Sequence, residues 1–243
     1  MNHNKTNKNK NKIIDFIFTK IYIFIKSVNN KKIFIDNESS NILNKISQHI
    51  SKSIDSDAPD LFYRCVDIEK IIKKYNINKI VEIGSGRSSI AFSLLSKIHK
   101  FKHVAFEQDH QWVEIINNYI KSTGAINSAV EYAELVRIKK GGYLKHPIED
   151  VDLIYIDGPT VQKVKGLNTV FGKSEYYDII NYFNKNIFPK VIMIEGRIDT
   201  VELTKNSEFS GLYNFYPEYQ YAYLTNNYYQ MMFSRRHSFF IKK

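Results

Sequence analysis

Residues 81–89, Val-Glu-Ile-Gly-Ser-Gly-Arg-Ser-Ser, decide how this chain folds. They join an apolar run at 79–84, typical of a buried strand, to a run at 88–98 that predicts a helix. Gly84 and Gly86 permit a tight turn and let backbone amides approach a ligand without obstruction by side chains. This order of strand, glycine turn and helix favours a nucleotide-type ligand site at the turn.

Strands and helices alternate on both sides of this stretch. Further strands are predicted at residues 103–108, 129–137, 152–158 and 190–196, and helices at residues 67–75, 110–121 and 174–183. The alternation implies a largely parallel sheet that is covered by helices on both faces. Near the end of the chain, the predicted strands 219–224 and 228–234 are separated by a turn too short for a helix, so we expect an antiparallel hairpin there.

The positive charge of the chain is concentrated in its first residues. The net charge is +10 over 243 residues, and residues 1–32, with eight lysines and one acid, hold seven of these charges. We interpret residues 1–36 as a basic, partly disordered extension, because its opening run of Asn and Lys contains almost nothing to bury. Such a tail can bind RNA, bind anionic lipid or bind nothing.

The rest of the composition narrows the class of protein. The apolar fraction of 43% suffices for a core, and the single cysteine, Cys65, excludes an internal disulfide framework and a zinc site of several cysteines. Charges interrupt the apolar segment 13–25, and no small-residue cleavage site follows it. We therefore expect a cytoplasmic protein in which this segment packs on the domain, on a partner subunit or on a membrane surface.

An acidic residue at the end of the second predicted strand extends the ligand site. Glu107 lies 21 residues beyond Gly86, close to the spacing of about 20 at which an acid meets ribose hydroxyls. Two cofactor classes fit this geometry, namely a dinucleotide and S-adenosylmethionine. A dinucleotide site has a third small residue after the two glycines, and Ser89 occupies that place here. Glu82, directly before the glycines, is unfavourable beside a pyrophosphate and tolerable near a sulfonium and an amino group, which favours S-adenosylmethionine.

At these residues the sequence resembles the class I S-adenosylmethionine-dependent methyltransferases, over residues 76–235. Glu82-Ile83-Gly84-Ser85-Gly86 is similar to the first motif of the family and Phe106-Glu107-Gln108-Asp109 to the second. Residues 152–159 are similar to the fourth motif, in the form found in small-molecule and glycan O-methyltransferase-like members. The resemblance implies a Rossmann-like, mostly parallel seven-stranded sheet with helices on both faces and a C-terminal antiparallel hairpin.

The resemblance also implies a role for each matched residue. Glu82, Gly84 and Gly86 would surround the methionine part of the cofactor, and Glu107 would hold the ribose hydroxyls. Gln108 and Ala133 would border the adenine, and Asp157 would face the transferred methyl group. The cofactor-binding residues expected on this basis are Glu82, Ile83, Gly84, Ser85, Gly86, Glu107, Gln108, Ala133 and Asp157.

Asp157 is the candidate catalytic residue, because methylation of a hydroxyl requires a group that orients the acceptor or removes its proton. Its alternative role is that of a turn cap before Gly158. Glu195, at the end of the neighbouring predicted strand, could share a divalent metal with Asp157, or pair with Arg197. Because the Asp-Asn pair usual in metal-dependent O-methyltransferases is absent, no metal ligand is assigned. His146 is assigned a loop or surface role and not that of a general base.

We therefore expect an S-adenosylmethionine-dependent methyltransferase that acts on the hydroxyl of a small molecule or a glycan. Residues 76–243 would form its catalytic domain, and helices at 37–75 would cover the site or form a homodimer. A nucleic-acid acceptor is not favoured, because the folded part carries no distributed basic groove. Two alternatives are an NAD-dependent oxidoreductase with a Rossmann fold and a non-catalytic protein that binds RNA or a membrane through its tail.

Overall fold

A computed structural model describes residues 68–69, 71–138, 141–158, 175–195, 197–216 and 237–243. The predicted extension 1–36, the segment 13–25 and most of the predicted helices at 37–75 lie outside these ranges. Helical backbone at residues 68, 69 and 71–75 confirms the predicted helix at 67–75 where it is described.

A seven-stranded sheet forms the centre of the fold, with a separate three-stranded sheet beside it. The strands are β1 (Lys79–Ile83), β2 (Lys102–Glu107), β3 (Ser128–Tyr132), β4 (Glu134–Ile138), β5 (Gly141–Lys145), β6 (Leu153–Ile156), β7 (Glu175–Tyr176), β8 (Val191–Glu195), β9 (Tyr213–Tyr216) and β10 (His237–Lys242). The large sheet has the order β3-β2-β1-β6-β8-β10-β9, and β4-β5-β7 form the small one. In the large sheet, β1, β2, β3, β6 and β8 are parallel and β10 is antiparallel to both of its neighbours. The predicted mostly parallel sheet is confirmed.

Helices cover both faces of the large sheet. They are α1 (Arg87–His99), α2 (His110–Thr123), α3 (Asp178–Asn184) and α4 (Ile198–Lys205). Successive residues of a strand point to opposite faces, so Ile80 packs with Phe92 of α1 whereas Val81 packs with Ile179 of α3. All five residues of β8 are buried, as expected of a strand covered on both faces. No helix in the described ranges is both long and apolar enough to cross a membrane.

The predicted single strand 129–137 is wrong, because two strands in different sheets occupy these residues. β3 ends at Tyr132, and the buried Ala133 donates its N–H to the carbonyl oxygen of Glu107 at 2.8 Å. The chain then leaves the large sheet, and β4 pairs with β5 in the small one. Apolar residues recur through both strands, so the strand-like composition of the segment continues across the break at Ala133.

The expected antiparallel end of the sheet is confirmed. The antiparallel strands are β9 and β10, and β10 lies between β8 and β9. The predicted hairpin strands 219–224 and 228–234 lie outside the described residues. The predicted helix at 174–183 also begins too early, because residues 175–176 form β7 and α3 starts at Asp178.

Candidate active site

The candidate site lies where the order of the large sheet reverses. From β1 the chain continues outward to β2 and β3, and it then returns to place β6 on the other side of β1. Ligands of open α/β sheets bind outside the carboxyl ends of the strands at such a point. Here the N–H groups of Asp157 and Gly158, which follow β6, donate to the carbonyl oxygen of Ile83 at 3.1 and 2.8 Å. The backbone at the ends of β1 and β6 is therefore joined by hydrogen bonds and forms the base of the candidate site.

The two glycines of the predicted loop have different roles. Gly84 has a φ of +82°, and a Cβ atom built on it would lie 2.4 Å from the Cα atom of Gly158. Gly86 has an extended backbone with a φ of 172°, and a Cβ atom on it would have no atom of the described residues within 4 Å. Gly84 is thus required by conformation and by close approach, whereas Gly86 leaves open space beside the loop that a side chain would fill.

Glu107 joins the ends of β1 and β2. One of its carboxylate oxygens accepts hydrogen bonds from the N–H and the hydroxyl of Ser85, at 2.9 and 3.2 Å. The other accepts from the N–H groups of Gln108 and Asp109, at 2.8 and 3.1 Å. Charge-assisted hydrogen bonds of this kind are stronger than neutral ones. Glu107 is therefore held against the glycine loop. This is the place at which an acid that binds ribose hydroxyls was expected.

Glu82 lies beneath the loop and is fully buried. The hydroxyl groups of Ser88 and Ser89, at the start of α1, both donate to its carboxylate, the latter at 2.7 Å. The same carboxylate lies 3.0 Å from Nε2 of His103, a residue of β2. All of these contacts are made inside the protein, so Glu82 supports the loop and the first turn of α1.

The ends of β2 and β3 form the side of the site that the sequence assigned to adenine. The rings of His110 and Tyr132 stack with their centroids 3.6 Å apart. Gln108 and Ala133, the two residues expected there, lie next to this pair in the chain. The indole N–H of Trp112 donates to the carbonyl oxygen of Ser85 at 2.9 Å, which fixes α2 to the glycine loop.

The ends of β6 and β8 form the opposite side of the site. The guanidinium group of Arg197 donates to the carbonyl oxygen of Asp157 and lies 3.8 Å from its carboxylate. It also lies 5.5 Å from the ring centre of Tyr176, within cation–π range. Glu195 accepts a hydrogen bond from the hydroxyl of Tyr155. The sequence suggested a pair of Arg197 with Glu195, and the contact of Arg197 with Asp157 was not expected.

Arg197 is nearly buried, whereas Asp157 faces solvent. The exposed fraction of the side chain is 10% for Arg197 and 40% for Asp157. The arginine therefore lies behind the carboxylate and can hold it in place from the protein side. Within the described ranges, no three His, Cys, Asp or Glu side chains form a group that could hold a metal ion.

The assignment of His146 to the surface is wrong. The residue does lie in the loop between β5 and β6, but its side chain is fully buried and stacks on Phe106 with ring centroids 4.3 Å apart. Its Nε2 lies 3.6 Å from Oδ1 of Asp178, which also accepts the N–H of Leu144 at 3.0 Å. Burial raises the pKa of Asp178, although His146 and the N–H of Leu144 act in the opposite direction.

Comparison with known proteins adds structural likeness without sequence likeness. No family model matches the chain, and no curated protein matches its sequence. The SAH-bound methyltransferase PaMTH1 of Podospora anserina is similar in structure, with a TM-score of 0.50 and 12% identity over 92% of this chain and 96% of that one.

Two further solved structures show weaker likeness. The O-methyltransferase of Bacillus cereus in complex with SAH has a TM-score of 0.45 and 12% identity over 79% of this chain and 88% of that one. The O-methyltransferase TomG of Streptomyces achromogenes in complex with SAM has a TM-score of 0.42 and 14% identity over 92% and 96% of the two chains. The likeness to the Podospora anserina protein and the strand order together identify the fold of this chain as that of the class I S-adenosylmethionine-dependent methyltransferases.

Proposed function

We propose that this protein is an S-adenosylmethionine-dependent methyltransferase whose acceptor is a hydroxyl group of a small molecule or a glycan. The fold and the position of the site at the reversal of strand order support this function. A dinucleotide would occupy the same place in a related fold, so the choice of cofactor depends on the glycine loop itself.

The hydrogen bonds of the glycine loop favour S-adenosylmethionine over a dinucleotide. The N–H groups of Gly84, Ser85 and Gly86 donate to Phe106 O, Glu107 Oε2 and Ser89 Oγ, at 2.9, 2.9 and 3.0 Å. A pyrophosphate needs unpaired N–H donors at this turn. Because the three amides already have acceptors inside the protein, the loop suits a cofactor that has no phosphate.

The residues of the site fit S-adenosylmethionine. The open space at Gly86 has room for the methionine part. The carboxylate of Glu107 would accept the two ribose hydroxyls in exchange for some of the four hydrogen bonds that it accepts from the protein. The stacked pair of His110 and Tyr132 provides an aromatic wall for the adenine beside Gln108. When bound, the cofactor supplies an electrophilic methyl group on a positively charged sulfur.

Asp157 and Arg197 would serve the acceptor. The half-exposed carboxylate of Asp157 can accept the proton of an acceptor hydroxyl, or hold that hydroxyl in line for transfer. Arg197 places a fixed positive charge next to this carboxylate, which limits its movement. We therefore assign the catalytic role to Asp157 and the role of its support to Arg197, and we assign no metal.

Three parts of the proposal rest on the sequence alone. They are the cytoplasmic location, the role of the helices at 37–75 as a cover or a dimer contact, and the independence of the basic extension 1–36 from catalysis. Deletion of residues 1–36 tests the last part, because an independent enzyme would keep its affinity for S-adenosylhomocysteine. Loss of all ligand binding would favour the alternative of a protein that acts through its tail.

Calorimetric titration of the full chain with S-adenosylhomocysteine and with NAD tests the function. We expect micromolar binding of S-adenosylhomocysteine, a loss of at least tenfold in affinity for Glu107→Ala, and no change for Glu131→Ala, which removes an exposed acid from β3. Binding of NAD alone would replace the proposal with a dinucleotide enzyme. Binding of neither compound would leave the non-catalytic alternative.

A further inference from the structure

A chain of buried polar side chains runs beneath the glycine loop and crosses three neighbouring strands. It begins at Ser128 of β3, whose hydroxyl lies 2.7 Å from Nδ1 of His103 on β2. Nε2 of His103 lies 3.0 Å from Glu82 of β1, and the hydroxyl of Ser89 donates to Glu82 at 2.7 Å. Ser89 in turn accepts the N–H of Gly86 at 3.0 Å.

The chain is buried at His103, Glu82 and Ser89, whereas Ser128 at its start is half-buried. The side chains of His103 and Glu82 have no exposed area, and Ser89 is fully buried. Nε2 of His103 can donate its proton to Glu82, and Nδ1 pairs with the hydroxyl of Ser128. The carboxylate of Glu82 then accepts from Ser88, Ser89 and His103. Removal of a buried member of the chain leaves a buried polar atom unpaired, which destabilises this arrangement.

The direction of these bonds links His103 to the open position in the loop. Because the hydroxyl proton of Ser89 is donated to Glu82, a lone pair of the same oxygen is left for the N–H of Gly86. The orientation of Ser89 therefore depends on where the Glu82 carboxylate is held. His103 fixes that carboxylate from the side away from the loop. Gly86 is the residue beside which a ligand has room.

We propose that His103 is a positioning residue, which sets the geometry of the glycine loop at Gly86 through Glu82 and Ser89 and so raises the affinity for the cofactor. This inference rests on the proposed function for the identity of the ligand. In this role His103 does not contact the cofactor and takes no part in the transfer step.

A second histidine–glutamate pair at the other end of α1 provides a matched control. Nε2 of His99 lies 2.9 Å from Oε1 of Glu69, nearly the same distance as in the pair of His103 and Glu82. His99 is near the last turn of α1, whereas Ser88 and Ser89 are in its first turn. Replacement of His99 therefore removes the same kind of contact without disturbing the support of Gly86.

The variants are His103→Phe, His103→Gln and His99→Phe in the full chain. Phenylalanine keeps a ring against Phe92, whose centroid lies 5.0 Å from that of His103, but removes both nitrogens. Glutamine restores a donor for Glu82. We expect His103→Phe to weaken S-adenosylhomocysteine binding about tenfold, which corresponds to about 1.4 kcal/mol. His103→Gln should recover most of this loss, and His99→Phe should show none.

Two measurements separate positioning from a general loss of stability. Amide hydrogen exchange of Gly86, measured without ligand, should be at least tenfold faster in His103→Phe and unchanged in His99→Phe. With an acceptor in hand, His103→Phe should raise KM for S-adenosylmethionine and leave kcat within a factor of two, because Asp157 is untouched.

Each outcome decides the proposal. Equal losses of affinity in His103→Phe and His99→Phe, or a lower unfolding midpoint of His103→Phe with unchanged affinity and unchanged exchange at Gly86, would show a merely structural histidine. If the wild type binds no S-adenosylhomocysteine, the proposed function fails. The exchange of Gly86 then still decides whether His103 orders the loop.

Discussion

Gly84 and Gly158 meet backbone to backbone at the point where β1 and β6 end. A Cβ atom on Gly84 would lie 2.4 Å from Cα of Gly158, and a Cβ atom on Gly158 would lie 2.6 Å from Cα of Gly84. Real Cβ atoms do not approach backbone this closely, so neither position accepts a side chain without movement of a strand end. The contact brings Asp157, which precedes Gly158, next to the glycine loop. One pair of glycines thus joins the two halves of the candidate site.

The first prediction follows from the difference between Gly84 and Gly86. Gly84→Ala places a side chain at a φ of +82° and against Gly158, so it should lower the free energy of unfolding by about 1–3 kcal/mol or more. Gly86→Ala adds a methyl group to an extended backbone with open space around it. It should keep the free energy of unfolding within about 0.5 kcal/mol of wild type. Urea unfolding measures both.

Binding should separate the same two variants. Because the alanine methyl group at position 86 occupies the space proposed for the methionine part of the cofactor, Gly86→Ala should weaken S-adenosylhomocysteine binding at least tenfold at nearly unchanged stability. Undiminished affinity of Gly86→Ala would mean that the ligand does not use this space, and the proposed location of the site would be wrong.

The strands and the glycine loop could be predicted from the sequence, because a single local pattern determines each of them. The apolar runs around Ile80, Ala105 and Ile192 predict parallel strands, because residues buried on both faces of a sheet give a continuous apolar signal. The loop at Gly84 is equally local, since a strand followed by glycine and a helix start has few other solutions. Spacing along the chain was enough to place Glu107 beside this loop.

Features that depend on contacts between residues distant in sequence could not be predicted in this way. The break at Ala133 depends on a hydrogen bond to the carbonyl oxygen of Glu107 and on the pairing of β4 with β5, and neither contact can be read from the local sequence. His146 is buried because Phe106 and Asp178 are brought to it by β2 and α3.

Trp112 should report cofactor binding, which is the second prediction. It is the only tryptophan of the chain, and its indole N–H donates to Ser85 in the glycine loop. A ligand seated against this loop changes the surroundings of the indole, so a titration with S-adenosylhomocysteine should shift or quench the tryptophan emission in a saturable manner. The midpoint should agree with the calorimetric dissociation constant within a factor of two.

The same titration of Glu107→Ala supplies the control for the fluorescence signal. Its saturation should move to at least tenfold higher ligand concentration, because Glu107 holds Ser85 of the glycine loop and is the proposed acceptor of the ribose hydroxyls. A signal from wild type that is unaffected by this substitution would place the ligand elsewhere in the protein.

The third prediction separates the two sides of the site. Asp157→Asn removes the proposed proton acceptor and keeps the size of the side chain, so kcat for a hydroxyl acceptor should fall about 100-fold to 10,000-fold. The dissociation constant of S-adenosylhomocysteine should change less than threefold. Asp150→Asn, which alters an exposed acid of the preceding loop, should leave both quantities unchanged. An Asp157→Asn variant with wild-type kcat would assign Asp157 to the turn alone.

The fourth prediction concerns the dependence of stability on pH. Burial raises the pKa of Asp178, and Oδ2 of this residue has no hydrogen-bond partner among the described residues. A carboxyl group with a raised pKa in the folded state contributes stability that is present below its unfolded pKa and lost as pH rises through the folded pKa. Asp178→Asn keeps an acceptor for Leu144 and cannot ionise, so its advantage over wild type should grow with rising pH. By pH 8 it should reach about 1–3 kcal/mol in urea unfolding.

Asp152 should show the opposite dependence, which makes it the control for Asp178. Burial alone would raise its pKa, but the N–H groups of Asn78 and Lys79 and the ammonium group of Lys190 outweigh burial and lower it. Asp152→Asn should therefore lose stability relative to wild type above the ordinary pKa of aspartate, and the deficit should shrink as pH falls below that value. If the difference between Asp178→Asn and wild type stayed constant from pH 4 to pH 8, the folded and unfolded states would bind the same number of protons at Asp178, and folding would not raise the pKa of this residue.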